Sequence, residues 1–247
     1  MTRRLADWPW PRVMAHRCGG ALAPENTLPG LQVCVMTGCR GVEFDVMLSG
    51  SGTPILMHDE TLERTTTGSG PVSLASDPQL ALLDAGVRHH RAFAGTAIPL
   101  FAATIEQCRL LDLAANVEIK PVAGYERETG AAAAQMAELG WSGAAVLPLL
   151  SSFSEVALDA ARITAPRLPR GLLAEQLPAD WRARCERLEV IALHLNQRLL
   201  DEATVTTLKA TGYRVLSYTV NDPQRARQLL DWGVDTVVTD RPDIVRA

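Results

Sequence analysis

Short apolar runs of β type alternate with longer stretches of helical periodicity from one end of the chain to the other. The strand pattern falls at 12–16 (RVMAH), 41–47 (GVEFDVM), 115–120 (ANVEIK), 145–150 (AVLPLL), 170–174 (RGLLA), 190–195 (VIALHL), 214–220 (RVLSYTV) and 235–239 (DTVVT). Helical patterns occupy 27–37, 101–113, 127–139, 154–163, 179–187, 199–210 and 222–231. Asn26, and Asn221 or Asp222 ahead of Pro223, predict helix N-caps. Gly140, Gly212 and Gly233 each follow a helical run, where a left-handed cap is favoured. Eight strands separated by helices predict a (β/α)8 TIM barrel, one domain over 1–247. A doubly wound open sheet is the other arrangement, but no GxGxxG or Walker loop favours it.

The alternation breaks once. GVEFDVML is followed by SGSGT and then PILMHD, with no room for a helix. A loop this short returns the chain antiparallel, because a parallel crossover needs a dozen or more residues. Residues 54–58 are therefore predicted as the return arm of a hairpin on the second strand, with a turn near residue 51 that sets His58 opposite Asp45. Residues 59–100, rich in Thr, Gly, Ser and Asp, read as an insertion over the barrel mouth. Trp8 and Trp10, spaced by proline, read as a plug under the barrel.

Composition narrows the functional classes. The 247 residues are 47% hydrophobic and carry 24 Lys+Arg against 28 Asp+Glu, a formal charge of −4. A mildly acidic chain lacks the basic stripe of a nucleic-acid binder, so no nucleic-acid partner is expected. No run of about 18 apolar residues is present to span a membrane. The start, MTRRLADWPWPR, has no apolar stretch of the signal-peptide kind. The five cysteines form no CxxC pair and read as reduced, buried thiols of a cytoplasmic protein.

Active sites of such barrels lie at the C-terminal ends of the strands, and the polar residues concentrate there. His16 and Arg17 close the first strand; Glu43 and Asp45 alternate on one face of the second; Glu118 and Lys120 do the same on the third; His58 returns beside them. Acids two apart in an apolar strand repel each other in a barrel interior unless a cation lies between them. The all-oxygen set Glu43, Asp45 and Glu118 suits a hard divalent ion, Mg2+ or Ca2+, rather than zinc. His16 and His58 suit general acid–base work near neutral pH. Arg17 offers a fork and Lys120 a point charge to a phosphate, although both also suit pairing with the acids. Phe153 and Tyr218, at strand ends, either wall a substrate or pack the rim; His194 either faces the site or supports it; His89 and His90 read as solvated.

These residues lie in recognisable motifs. AHRCGGALAPENT, GVEFDV, PILMHDETLERTTTG and NVEIKP resemble those of the glycerophosphodiester phosphodiesterases, and LLSSF, PRGLL, HLN, YTVN and WGVDTVVTD extend the resemblance over nearly the whole chain. The chain is most similar to the cytoplasmic bacterial UgpQ type of that family. The resemblance implies a barrel with an insertion after strand two, a divalent metal on Glu43, Asp45 and Glu118, acid–base catalysis by His16 and His58, and phosphate binding by Arg17 and Lys120. It implies cleavage of a small-molecule glycerophosphodiester to sn-glycerol 3-phosphate and an alcohol. Glu25 and Asn26 lie in the PENT motif, where their chemistry suggests capping and support rather than metal ligation. Two positions depart from the family pattern: Cys18 stands where glycine is usual, and Tyr218 where tryptophan is common. Two other readings compete: a lysophospholipase D or phospholipase-type lyase on intact lipids, and a silent barrel that only binds phosphodiesters. The lack of an apolar or amphipathic membrane element argues against the first, and the filled catalytic positions against the second.

Overall fold

The computed structural model describes residues 8–247. Most of the opening stretch MTRRLADWPWPR, read above for signal-peptide character, lies in residues 1–7, outside the described residues. The strands are β1 (Val13–Ala15), β2 (Gly41–Leu48), β3 (Pro54–Leu56), β4 (Ala114–Ile119), β5 (Leu149–Ser152), β6 (Arg170–Ala174), β7 (Ala192–Asn196), β8 (Arg214–Tyr218) and β9 (Thr236–Thr239). All except β3 pair in parallel, in the order β1-β9-β8-β7-β6-β5-β4-β2, and a β1–β2 pairing at Ala15 and Val42 closes the ring. This is a closed (β/α)8 barrel. Its helices are α1 (Leu28–Met36), α3 (Phe101–Leu110), α4 (Glu126–Gly140), α5 (Glu155–Thr164), α6 (Trp181–Leu188), α7 (Glu202–Ala210) and α8 (Pro223–Asp231), with a single turn, α2 (Asp77–Leu80), between β3 and α3.

Apolar side chains on the outer strand faces and the inner helix faces make two large clusters. One is built around Phe44, Phe101 and Val117, the other around Leu193, Val205 and Val215. The barrel floor is closed by Trp10 against Met14, Leu149, Leu216 and Val238, and Trp8 Nε1 donates to Thr236 Oγ1 at 2.8 Å. The tryptophan plug is therefore present. A fourth cluster joins Met47 and Ile55 of the hairpin to Leu62, Val72, Leu80, Ala85 and Ile98, which anchors the segment between β3 and α3.

Several local expectations shift. The strand placed at 145–150 begins at Leu149, because Pro148 has no N–H for a ladder; Val146 and Leu147 are apolar because they pack against core clusters instead. Asn26 does not cap α1; Thr27 does, accepting from the Gly30 amide, while Asn26 sits in a left-handed conformation with φ 55°. Asp222 rather than Asn221 caps α8. Gly212 and Gly233 have positive φ as expected, but Gly140 is the last residue of α4 and lies against Ile105 of α3, where a side chain would clash. The hairpin is present with a register one residue from that expected: Val46 faces Leu56, and the Met57 amide donates to the Asp45 carbonyl, so Met57 rather than His58 lies opposite Asp45. A one-residue slip would turn a strand side chain to the wrong face. His58 escapes that because β3 has ended at Leu56 and the chain bends toward the barrel mouth.

Candidate active site

The site grows from the turn after β1. His16 continues the β1 ladder by donating its amide to the Thr239 carbonyl. Arg17 and Cys18 then both adopt left-handed backbone, φ 47° and 74°, followed by Gly20 at 60°. Gly20 leaves no choice of residue, since a Cβ there would strike the backbone of Asp240. The turn is locked onto β2: the Arg17 amide donates to Glu43 Oε2 at 3.0 Å and the Cys18 amide to the Glu43 carbonyl at 2.8 Å. Left-handed conformation costs about 1 kcal/mol or more for a residue with a Cβ, so this turn is held by its surroundings. Glycine is usual at position 18 in the family resembled, and the strain at Cys18 shows the conformational reason.

Glu43 and Asp45 point together into the barrel from β2, and Glu118 joins them from the paired position on β4. All three are buried, and one carboxylate oxygen from each lies within 4.8 Å of the others. Asn26 grips Asp45 with both ends of its amide: Nδ2 donates to Asp45 Oδ2 at 2.8 Å, and Oδ1 accepts from the Asp45 amide at 3.1 Å. Glu43 Oε1 is buried with no hydrogen-bond partner. Burial, followed by the charge of Asp45, pushes the carboxyls up, Glu43 to about 7 and Glu118 to about 8. Three crowded acids, with one oxygen unpartnered, fit a hard divalent cation as the missing positive charge.

Two histidines flank the acids, each oriented by a carboxylate. His16 Nδ1 lies 2.6 Å from Asp240 Oδ1, and its Nε2 is 3.8 Å from Glu43 Oε2. Asp240 is braced by Asn221, whose Nδ2 donates to Asp240 Oδ2 at 2.9 Å and whose Oδ1 accepts the Asp240 amide at 2.8 Å. Burial alone would lower the His16 pKa, but the bond to Asp240 and the charge of Glu43 raise it overall. His58 Nδ1 lies 2.6 Å from Asp59 Oδ1, and its Nε2 is 2.7 Å from Lys120 Nζ. Burial and the cations Arg17 and Lys120 outweigh the neighbouring acids and lower its pKa. Lys120 Nζ also lies 3.3 Å from Glu118 and 3.7 Å from Asp45. Arg17 donates to Glu25 Oε1 at 2.9 Å and stands 3.7 Å from Asp45. Both cations thus pair with acids, and each stands 3.7 Å from an oxygen of Asp45.

The structure brings together His16, Arg17, Glu43, Asp45, His58, Glu118 and Lys120. Phe153 and Tyr218 meet edge to face, ring centroids 6.0 Å apart, with the Tyr218 hydroxyl donating to the Ala174 carbonyl at 3.3 Å. His194 is fully buried inside the barrel against Gly171, and burial pushes its pKa down to about 3. His90 is exposed, whereas the exposed His89 joins His16, Arg17, Glu25 and Asp240 around a cavity of about 350 Å³. Sequence reasoning missed Asp240, Asp59, Asn221 and Arg64. The first lies one residue past β9, the barrel position that carries function elsewhere in this chain, and that was its available signal. All five cysteines are free and buried, as small apolar side chains.

The sequence profile of the glycerophosphoryl diester phosphodiesterase family matches residues 16–244. The chain belongs to that family. It is an enzyme of the phosphoric diester hydrolase class. A glycerophosphodiester phosphodiesterase of Caldanaerobacter subterraneus subsp. tengcongensis is 30% identical over 232 residues, 94% of each chain. One from Bacillus subtilis is 28% identical over 94% of this chain and 84% of its own. Among solved structures, a phosphodiesterase of Oleispira antarctica in complex with the product sn-glycerol 3-phosphate superposes with a TM-score of 0.92 at 37% identity, covering 96% of this chain and 95% of that one. Among the described residues no helix is long and apolar enough to cross a membrane.

Proposed function

We propose that this enzyme hydrolyses small glycerophosphodiesters to sn-glycerol 3-phosphate and an alcohol in the cytoplasm, with Glu43, Asp45 and Glu118 holding a divalent cation, Mg2+ or Ca2+. The observation that carries the reading is the buried acid triad, with its ligand atoms within 4.8 Å, flanked by two histidines that each have a carboxylate on Nδ1. A bound divalent cation supplies Lewis-acid polarisation of a phosphoryl oxygen. The product found in the Oleispira relative supports the substrate class.

Arg17 and Lys120 border the triad and orient the phosphate, Arg17 by its planar fork and Lys120 as a point charge. Once phosphate draws Lys120 away, His58 Nε2 is an unprotonated acceptor aimed at the opening. It takes the proton of the attacking hydroxyl, from water or from the glycerol 2-hydroxyl; the second route forms a cyclic phosphate first, which a water molecule then opens to the glycerol phosphate. His16, whose proton Asp240 and Glu43 hold in place, gives it to the departing alkoxide as the P–O bond breaks. Phe153 and Tyr218 wall the aromatic side of the mouth, so the variable alcohol is tolerated rather than read in detail. Residues 59–100 act as an insertion that completes the mouth within one domain.

The test is a panel of glycerophosphocholine, glycerophosphoethanolamine, lysophosphatidylcholine and a dinucleotide, with and without chelator, read by released glycerol phosphate. Chelator-sensitive turnover of the first two, within about tenfold of each other (~1.4 kcal/mol), is expected, with the dinucleotide inert. A higher kcat/KM for the lysolipid moves the assignment to a lysophospholipase D.

A further inference from the structure

Arg64 lies outside the barrel, in the segment anchored by Leu62 and Val72, and its side chain is about half exposed. Its guanidinium nevertheless makes four hydrogen bonds to two carboxylates that come from different parts of the chain. Nη1 and Nη2 donate to Glu25 Oε2 and Oε1, each at 2.7 Å. Nε and Nη2 donate to Asp59 Oδ2 and Oδ1 at 2.5 and 2.9 Å. The oxygens are shared with the site: Glu25 Oε1 also accepts from Arg17, and Asp59 Oδ1 is the partner of His58 Nδ1. One fork therefore joins Arg17, Glu25, Asp59 and His58 in a continuous chain of charged hydrogen bonds.

We infer that Arg64 is a positioning residue that sets the phosphate-binding Arg17 and the proton-accepting His58 in register with each other. The inference rests on the roles proposed above for those two residues. An isolated surface ion pair adds little to folding and a bidentate network such as this one adds more, so stability supplies one reason for the clamp. Positioning gives a stronger one, since small displacements of reacting groups cost large factors in rate. The planar fork matters because it meets each of the two carboxylates with a pair of donors, whereas the three donors of an ammonium group cannot make both contacts bidentate. On the His16 side the corresponding carboxylate, Asp240, is held instead by both ends of the Asn221 amide.

The experiment compares Arg64→Ala, Arg64→Lys and the exposed-pair control Arg162→Ala, which loses the contacts to Asp159 and Glu189. Both Arg64 variants should melt within a few degrees of the wild type and lose about 10–100-fold in kcat/KM on glycerophosphocholine, while Arg162→Ala keeps wild-type turnover. Guanidinium at tens of millimolar should restore part of the rate to Arg64→Ala alone. Adding Asp59→Asn to Arg64→Ala should lower the rate little further, because both changes break one chain. In substrate-free protein, the downfield proton resonance of His58 Nδ1–H should weaken or vanish in Arg64→Ala. Unchanged kinetics in Arg64→Ala overturn the inference, as does an activity loss that follows the melting temperature and resists guanidinium. A wild type inactive on every glycerophosphodiester instead overturns the proposed function, and the His58 resonance then decides Arg64 by itself.

Discussion

His16 and His58 flank the same acid triad and are held by different kinds of structure. His16 is an extension of β1, its amide in the barrel ladder, its carboxylate partner Asp240 one residue past β9 and fixed by Asn221. His58 lies beyond the hairpin, where its ring meets Lys120 from the end of β4, and its partner Asp59 is fixed by the half-exposed Arg64. The first arrangement is rigid because strands make it. The second is as rigid as the docking of 59–100, through the cluster of Met47, Ile55, Leu62, Val72 and Leu80, allows. In the roles proposed above, a proton donor built into the wall and a proton acceptor carried by an addition to the wall would let substrate preference change on one side without disturbing the other.

Removing what the two sides share gives the largest effect. Glu43→Ala, Asp45→Ala and Glu118→Ala should each abolish chelator-sensitive turnover and the calorimetric isotherm for Mg2+ or Ca2+, since each deletes an anionic ligand. Unchanged metal binding in all three would remove the metal from the proposal and leave the acids as an ion-pair network around Arg17 and Lys120.

Deleting either ring should cut kcat by ~10²–10⁴ with the fold intact, but the two variants should differ in one respect. On a substrate with an activated leaving group, such as a nitrophenyl ester, a general acid is dispensable, so His16→Ala should recover most of its loss and His58→Ala little. The opposite pattern would reverse the roles assigned from Asp240 and Lys120.

How much of this was legible in the sequence follows from the same contrast. Glu43, Asp45, Glu118 and Lys120 were readable because strand alternation fixes the face of each residue, and His16 and Arg17 because they end a strand. The barrel itself followed from eight strand patterns separated by seven helical ones. His58 was placed correctly on a register wrong by one residue, because the turn after β3, rather than the ladder, aims it. Asn26 looked like a cap because asparagine favours caps and left-handed backbone alike; only the fold shows its amide closing on Asp45. Arg64 stayed hidden because its carboxylates lie 39 and 5 residues away and local pattern does not distinguish it from a surface charge. Asp240, 224 residues from His16, was marked only by its place past β9. Asp59, although next to His58, went unread because the bend after β3 is what turns the two side chains together.

A smaller effect concerns the triad and pH in the presence of chelator. In the unfolded chain Glu43 and Glu118 release their protons near ~4.3; folded and metal-free they hold them to about 7 and about 8. Between those limits the folded state binds more protons than the unfolded one, so stability is full below the unfolded value and lost as pH rises through the folded ones. Melting temperature in chelator should therefore fall from pH 5 to pH 8, and added Mg2+ or Ca2+ should raise it more at pH 8 than at pH 5. A chelated protein that melts higher at pH 8 would show that these acids are ionised together without a cation.

The smallest effect tests the strain on the His16 side. Cys18 is fully buried and holds φ 74° in the turn that carries Arg17. Cys18→Gly removes the left-handed penalty, about 1 kcal/mol, and also removes a packed side chain, a loss of similar size for a few buried atoms. The two should nearly cancel, leaving stability within ~1 kcal/mol of wild type. Cys18→Ala loses the sulfur's packing and keeps the strain, so it should be the least stable of the three in chemical denaturation. If Cys18→Ala equals or exceeds Cys18→Gly, the turn carries no strain worth relieving. The usual glycine would then need a reason in packing, such as the approach of Gly30, where even a Cβ would come within 2.9 Å of the Cys18 Cβ.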